Sequence, residues 1–177
     1  MRKLSLQELN RVSTDEFKKQ MKMPIVLILD NVRSALNVGS AFRTSDAFTI
    51  EKIYLCGITA QPPHREILKT AIGATESVEW EYVPTTAEVI ERLRAQRYEI
   101  WAVEQAEGSK HLQDVNINTD CKHALIFGNE VDGVDAAVME MVNGCIEVPQ
   151  FGTKHSLNIS VCIGIVVWEV FRQMKYG

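Results

Sequence analysis

Short apolar runs alternate with amphipathic segments along most of the chain. Residues 25–29 form an unbroken run of Ile, Val and Leu, which is typical of a strand buried on both faces. Residues 87–95 instead repeat their apolar positions with the period of a helix. This alternation of strand and helix patterns predicts an α/β fold, with a mostly parallel sheet and helices on both faces.

The expected elements can be placed along the sequence. Strands are predicted at 25–29, 52–56, 77–82, 98–103, 125–127 and 146–148, and helices at 37–48, 65–71, 87–95 and 157–174. Parallel sheets bind their ligands beyond the carboxyl ends of the strands. Those ends lie at Asp30, Gly57, Glu104, Gly128 and Pro149.

Two strand-exit loops in the last third of the chain predict a pocket. The first begins at Gly128, and the second follows Pro149 and leads into the expected first turn of the last helix, which holds Ser156 and Asn158. Either of these two side chains could cap the helix or face a ligand. The two loops and the helix start together predict a binding site.

Two nucleotide-binding motifs are excluded. Gly128 and Gly133 have the spacing of a phosphate-binding loop, but Val134 and Asp135 stand where Lys and Ser or Thr are required. The turn after the first strand, residues 30–34, lacks the G-x-G-x-x-G pattern of dinucleotide-binding folds. Neither a nucleoside triphosphatase nor a nicotinamide enzyme is therefore expected.

The helix predicted at 37–48 carries a candidate anion site. Gly39 and Arg43 share a face, so the Arg43 side chain should lie back over the bare turn at Gly39 toward the helix start. With the Asn37 amide and the free backbone N–H groups, it could hold an anion or a polar substrate. The alternative is a surface ion pair of Arg43 with Asp46 or Glu51.

Length and composition indicate one soluble domain. The 177 residues, 46% hydrophobic and 24% charged, divide into an N-terminal helical arm at 1–22 and a domain at 23–177. We find neither a membrane span nor the apolar core of a signal peptide, so a cytoplasmic location is expected. The cysteines lack paired metal-ligand spacing, and at least Cys56 and Cys162 lie in apolar runs, which favours buried free thiols and no metal; the four are Cys56, Cys121, Cys145 and Cys162.

The charge is distributed unevenly along the chain. The formal net charge is −4, but residues 1–70 carry 11 basic against 7 acidic side chains, and residues 71–177 carry 8 against 16. The basic part could face a polyanion, or the clustering could be a chance feature of a solvated surface. Lys18, Lys19 and Lys22 of the arm could likewise contact RNA or pack on the surface.

The last predicted helix is apolar nearly all round. Its apolar residues include Val161, Ile165, Val167 and Trp168, which leaves no broad polar face. Such a helix needs cover on more than one side. We therefore expect part of it to be buried in a symmetric homodimer, with deep burial inside one chain as the alternative.

Three stretches, at 37–44, 126–133 and 148–161, together resemble the motifs of the SpoU (TrmH) family of RNA 2'-O-ribose methyltransferases, within the SPOUT superfamily. The likeness covers about residues 24–174, and the three motifs occur in the family's order and spacing. The sequence departs from the family pattern at two places. Asn129 stands at a position that varies in the family, and Gln150 with Phe151 is bulky where shorter residues are common.

The resemblance implies a C-terminal trefoil knot that binds S-adenosylmethionine, and a homodimer whose pocket is shared between subunits. The cofactor would contact Gly128, Val148 and Leu157, largely through backbone atoms. The positions matching the catalytic site of the family are Asn37, Arg43, Glu130, Ser156 and Asn158.

The implied activity is methylation of a ribose 2'-hydroxyl of RNA, with tRNA favoured over rRNA. In the family, the arginine that matches Arg43 is given the role of base, assisted by an RNA phosphate. A guanidinium stays protonated at neutral pH, so the alternative is that Arg43 stabilises the negative charge that develops on the 2'-oxygen. Glu130 and Asn158 would hold the arginine and the hydroxyl. Phosphate contacts are expected from Lys18, Lys19, Lys22, Arg33 and Arg65. The competing hypothesis is a catalytically silent RNA-binding or assembly factor.

Overall fold

A seven-stranded sheet, parallel at each strand pair, forms the centre of the fold. The computed structural model describes residues 1–5 and 7–177. In space the strands follow the order β3-β2-β1-β6-β4-β7-β5. Their bounds are Met23–Asp30 (β1), Ile50–Cys56 (β2), Trp80–Val83 (β3), Tyr98–Val103 (β4), Lys110–His111 (β5), Lys122–Phe127 (β6) and Gly144–Glu147 (β7).

Helices cover both faces of this sheet, as predicted. Their bounds are Thr14–Lys19 (α1), Ala35–Ala47 (α2), Arg65–Ala71 (α3), Ala74–Ser77 (α4), Thr86–Ala95 (α5), Ala136–Met139 (α6) and Ile159–Tyr176 (α7). Core residues of α2, α3 and α7 belong to one hydrophobic cluster, and those of α5 and α6 to the other. The predicted α/β class with a parallel sheet is therefore confirmed.

The continuous apolar strands make sense of this layering. In β1, Ile25, Leu27 and Leu29 lie in the cluster under α2 and α7, whereas Val26 and Ile28 lie in the cluster under α5. Successive side chains of a strand point to opposite faces, so a strand between two helix layers must be apolar at every position. Burial of each such side chain contributes about 1.5–3 kcal/mol.

The central strands end level with one another at one edge of the sheet. Val103 of β4 pairs with Phe127 of β6 on one side and with Ile146 of β7 on the other. The loops that leave β4, β6 and β7 therefore start side by side. This register places the chain segments around the candidate site.

Several boundaries differ from the sequence-based prediction. The segment 77–82 was predicted as one strand, but Ser77 ends the short helix α4, where its hydroxyl donates to Ala74 O at 3.3 Å, and β3 begins only at Trp80. Helix α7 begins at Ile159 rather than at Leu157, because the Asn158 side chain caps it. Strand β5 and helix α6 are too short to have a periodic pattern and were not predicted.

The N-terminal segment contains a helix that is anchored in the core. Phe17 of α1 is only 5% exposed and belongs to the cluster under α2. The sequence of residues 5–8, Ser-Leu-Gln-Glu, predicts a capping box, but this stretch includes Leu6, which lies outside the described residues. Ser13 and Glu16 form a complete capping box at the start of α1. The division into an arm and a domain at residue 22 stays a prediction, as does the trefoil knot.

All four cysteines are free thiols, as predicted, although only Cys56 is fully buried. Among the described helices, none is both long and apolar enough to cross a membrane.

Candidate functional site

A cavity of about 520 Å³ lies where the loops after β4, β6 and β7 leave the sheet. Its walls come from three segments, 103–105, 127–133 and 148–159, and from Cys162. The predicted pocket is thus formed by the expected loops and by the start of α7. The sequence-predicted residues that line it are Gly128, Glu130, Val148, Ser156, Leu157 and Asn158.

The loop after β6 is folded tightly upon itself at Gly128. A Cβ atom at Gly128 would lie 2.2 Å from the carbonyl carbon of Gly133 and 2.2 Å from the nitrogen of Val134. Asn129 and Gly133 close the loop through two backbone hydrogen bonds of 2.8 and 2.9 Å. Only glycine permits this close approach of backbone to backbone.

Asn129 organises the same loop from within. It is 9% exposed, and its side-chain oxygen accepts hydrogen bonds from the backbone of Val131 at 2.8 Å and Asp132 at 3.2 Å. Its amide nitrogen donates to Asn31 O at 2.8 Å. Asn129 stands at a position that varies in the family it resembles, yet its amide connects the β6 loop to the loop after β1.

Two carboxylates at strand ends hold the far end of this loop. Glu104, after β4, accepts from Val134 N at 3.1 Å, and Asp30, at the end of β1, accepts from Asp135 N at 3.2 Å. Asp30 is 3% exposed and also accepts from the Thr86 hydroxyl at 2.6 Å. In the sequence, both residues follow predicted strands, and this position indicated correctly at which ends of the strands the site lies. It did not indicate what the two carboxylates do there.

The start of α7 contributes polar groups to the cavity. Asn158 is the N-cap, and its side-chain oxygen accepts from Ser160 N at 2.9 Å. Ser156 lies before the helix and is exposed, so it is not the cap. The cap uses only the side-chain oxygen of Asn158. Within the described residues, neither the amide nitrogen of Asn158 nor the hydroxyl of Ser156 makes a hydrogen bond.

Glu130 joins the cavity loop to the start of α2. Its carboxylate accepts from the backbone N–H groups of Arg33 and Ser34, both at 3.1 Å, and from the Asn37 amide at 3.2 Å. The N-terminus of a helix favours an anion because its first N–H groups lack partners. The anion site predicted at this helix start is therefore filled by a side chain of the protein itself.

These hydrogen bonds also set the ionisation of Glu130. Its partial burial raises the pKa, but the donors that face the carboxylate, including Asn37 and the backbone of Ser34 and Arg33, outweigh burial. The pKa of Glu130 is consequently below its ordinary value. Glu130 is thus a carboxylate at neutral pH and is committed to positioning α2.

The predicted position of Arg43 over Gly39 is wrong. A Cβ atom at Gly39 would lie 2.1 Å from Thr70 Oγ1 and 2.4 Å from Ile67 O, because α3 packs directly on the bare turn of α2. The Thr70 hydroxyl donates to Leu36 O at 3.0 Å across the same contact. Gly39 serves helix packing and leaves no room for the arginine.

Arg43 instead lines a second cavity of about 450 Å³, whose lining residues are Ser40, Arg43, Thr44, Ala47, Phe48, Lys69, Thr70 and Ile72. None of the described residues lines both cavities. Asn37, which binds the cavity-lining Glu130, and Arg43 differ by about 120° around α2 and about 9 Å along it, so Arg43 points away from the Gly128 cavity. Within the described residues, the Arg43 side chain forms no ion pair, so the alternative pairing with Asp46 or Glu51 is absent.

Similarity to known proteins agrees with this arrangement. The SpoU rRNA Methylase family matches residues 24–168, which run from the start of β1 to the middle of α7. The chain belongs to this family. The matched range contains each of the residues predicted for the site.

This SpoU-family chain has relatives of known sequence in several bacteria. An uncharacterized tRNA/rRNA methyltransferase of Borreliella burgdorferi is 30% identical over 91% of this chain and 69% of the relative. The 23S rRNA (guanosine-2'-O-)-methyltransferase RlmB of Neisseria meningitidis is 29% identical over 90% of this chain and 62% of the relative. The chain thus spans somewhat under two thirds of RlmB.

A solved structure supports the fold of this SpoU-family chain as well. The AdoMet-bound rRNA methyltransferase of Sinorhizobium meliloti superposes with a TM-score of 0.78 at 26% identity, over 94% of this chain and 62% of that one. The seven-stranded parallel sheet therefore belongs to the SPOUT class expected from the sequence.

Proposed function

We propose that this protein transfers a methyl group from S-adenosylmethionine to a ribose 2'-hydroxyl of RNA. The observation that carries the proposal is the cavity at the carboxyl ends of β4, β6 and β7, whose tight turn at Gly128 excludes any larger residue. Its volume of about 520 Å³ is in the range of small-molecule sites. The relative from S. meliloti is described as bound to AdoMet.

The lining of the cavity suits this cofactor. Val148 and Leu157 provide apolar surface beside the Gly128 backbone, which favours a flat base such as adenine. The charged side chains of the lining are carboxylates, those of Glu104 and Glu130, and no Lys or Arg of the described residues joins them. A negative site attracts a sulfonium cation. Bound S-adenosylmethionine would supply an electrophilic methyl group.

The polar groups at the start of α7 would position the RNA acceptor. The Ser156 hydroxyl and the Asn158 amide are exposed at the cavity and have unused hydrogen-bonding capacity within the described residues. They would orient the 2'-hydroxyl toward the methyl group. Alignment of two reactants can contribute on the order of 7 kcal/mol to catalysis.

Arg43 would reach this site from a second copy of the chain. It lines a different cavity of its own chain, so a catalytic role requires another subunit. Helix α7 offers a surface for such pairing, because Val161, Ile165 and Trp168 are 50%, 38% and 47% exposed and lie on one stripe. Exposed apolar stripes of this kind mark subunit interfaces. We therefore propose a homodimer with composite active sites.

The role of Arg43 would be electrostatic. A guanidinium is protonated at neutral pH and cannot readily accept a proton. It can orient the 2'-oxygen and stabilise the negative charge that develops there, while the proton passes to solvent or to an RNA phosphate.

The experiment compares Arg43→Ala and Arg43→Lys with the wild type. We expect the alanine variant to lose roughly a hundredfold or more in methylation rate. It should keep S-adenosylhomocysteine binding, measured by calorimetry, because Arg43 lines a different cavity in its own chain and would face the 2'-oxygen rather than the cofactor in the dimer. The lysine variant should also be slow, because it keeps the charge but not the two-pronged geometry.

Arg92→Ala is the matched control, since Arg92 lies on α5 on the other face of the sheet and pairs with Glu88 and Glu81. Near wild-type methylation by Arg43→Ala would refute the proposed role. Failure of the wild type to bind S-adenosylhomocysteine would favour the silent RNA-binding factor.

The RNA class is a further part of the proposal. The sequence favoured tRNA, whereas the N. meningitidis relative is named for 23S rRNA. Mapping 2'-O-methyl sites in tRNA and rRNA from cells with and without the gene decides between them.

A further inference from the structure

The loop between β7 and α7 presents an aromatic ring to solvent beside the cofactor cavity. Phe151 is 97% exposed, although Gln150 before it and His155 and Ser156 after it line the cavity. Within the described residues Phe151 stacks on no other aromatic ring. A fully exposed phenylalanine forgoes about 1.5–3 kcal/mol of possible burial. This makes it a candidate contact residue for a ligand that arrives at the cavity.

The charge of this loop differs from that of the surrounding chain. Residues 150–156 contain Lys154 and His155 and no acidic residue, whereas residues 71–177 as a whole carry 16 acidic against 8 basic side chains. Lys154 is exposed and forms no ion pair with the described residues. An aromatic ring next to unpaired basic groups is the pattern with which proteins bind single-stranded nucleic acid.

A subunit interface would be a poor match for the same loop. Polar residues flank Phe151 in the sequence, namely Gln150, Thr153 and Lys154, and a Cβ at Gly152 would meet no atom of the described residues within 4 Å. The cores of subunit interfaces are instead contiguous and apolar, as is the stripe on α7. The chemistry of the loop therefore favours RNA as its occupant over a second copy of the chain.

We propose that Phe151 stacks on a base of the RNA substrate, next to the nucleotide that is methylated, and that Lys154 contacts the adjoining phosphate. This inference rests on the proposed function. It adds a substrate-binding element, the Phe151–Lys154 loop, to the cofactor cavity. Because every base has a π-face, this stacking contact binds the RNA strand independently of its sequence.

The experiment measures RNA affinity and kcat/KM for Phe151→Ala, Phe151→Leu and Phe151→Trp. Loss of stacking should weaken RNA binding by roughly 5- to 150-fold in the alanine variant. The leucine variant should be almost as weak, because it keeps apolar bulk without a ring, and the tryptophan variant should approach the wild type. Lys154→Gln should lower the salt dependence of RNA binding.

Tyr82→Ala is the matched control, since Tyr82 is an exposed aromatic residue, 40% exposed, on the edge strand β3 away from the cavity. Calorimetry with S-adenosylhomocysteine and the mass in solution should be unchanged in every variant. Full RNA affinity in Phe151→Leu, or a loss of dimer mass in Phe151→Ala, would overturn the inference.

The binding assay separates this inference from the proposed function. If the wild type binds RNA but does not methylate it, the proposed function fails, and the Phe151 variants still report on stacking. If the wild type methylates RNA and Phe151→Ala binds RNA equally well, only the inference fails.

Discussion

Replacing Gly128 with alanine should open the loop that forms the wall of the cavity. The added Cβ would lie 2.2 Å from both the Gly133 carbonyl carbon and the Val134 nitrogen, and 2.3 Å from the Gly133 oxygen. Van der Waals contact between such atoms begins near 3.4 Å, so the opposing backbone must retreat by about 1.2 Å. These are backbone atoms and cannot turn aside as the end of a side chain would.

The cost of this displacement can be bounded from the contacts that resist it. The two Asn129–Gly133 backbone hydrogen bonds and the Glu104 bond to Val134 N hold the loop in place. Overpacking of this kind typically costs about 1–3 kcal/mol. For a domain of this size that lowers Tm by roughly 2–12 °C. A wall shifted by an ångström should also weaken cofactor binding by about 10- to 100-fold, or about 1.4–2.7 kcal/mol.

Calorimetric titration with S-adenosylhomocysteine and thermal unfolding by circular dichroism measure the two effects. Gly152→Ala is the matched control, because Gly152 lies in the neighbouring loop and a Cβ there meets nothing within 4 Å. The control should keep the affinity and Tm of the wild type. If Gly128→Ala bound S-adenosylhomocysteine as tightly as Gly152→Ala, the assignment of the Gly128 loop to the cofactor site would be wrong.

Three further predictions concern α7. Val161→Lys should halve the mass measured by sedimentation equilibrium, because it puts a charge on the apolar stripe of α7. The control Val12→Lys, at a position that is 52% exposed, should leave the mass unchanged. An intact dimer in Val161→Lys would rule out this face of α7 as the interface. Burial raises the pKa of the Cys162 thiol to about 11, so alkylation by iodoacetamide at pH 8 should be roughly two orders of magnitude slower than in a cysteine peptide. The folded chain keeps the Cys162 proton while the unfolded chain loses it near pH 9, so the free energy of unfolding should fall between about pH 9 and 11. This fall should be smaller in Cys162→Ala. If the free energy of unfolding depended on pH equally in both proteins, the burial argument would be wrong.

The layers of the fold were predictable because burial determines the local pattern of apolar residues in the sequence. A strand covered on both faces must be apolar throughout, and β1 carries that pattern from Ile25 to Leu29. Helix α3 was predicted with its observed bounds, and α5 within one residue. Segments of two to four residues, such as β5 and α6, are too short to show a period, so their existence depends on partners elsewhere in the chain.

The candidate site was predictable only in part. The tight turn at Gly128 and the start of α7 near Asn158 left local signals, a glycine after an apolar run and a capping residue before a helix. The links that Asn129 and Glu104 make between loops left no local signal, because the Asn129 amide reaches Asn31 O and the Glu104 carboxylate reaches Val134 N, both in other loops. The misplacement of Arg43 has the same origin, since Thr70 of α3 occupies the space over Gly39.

The sequence alone determined the alternation of the longer strands and helices along the chain, the ends of the strands where the site lies, and the family motifs. Each of these depends on residues that are close in the chain, where periodicity and turn chemistry act. Tertiary structure decided that the Glu130 carboxylate fills the start of α2 and that Arg43 faces a cavity separate from that of Gly128. Contacts between distant segments depend on how helices pack across the sheet, and one helix turned by a third of a revolution moves a side chain from one cavity to another.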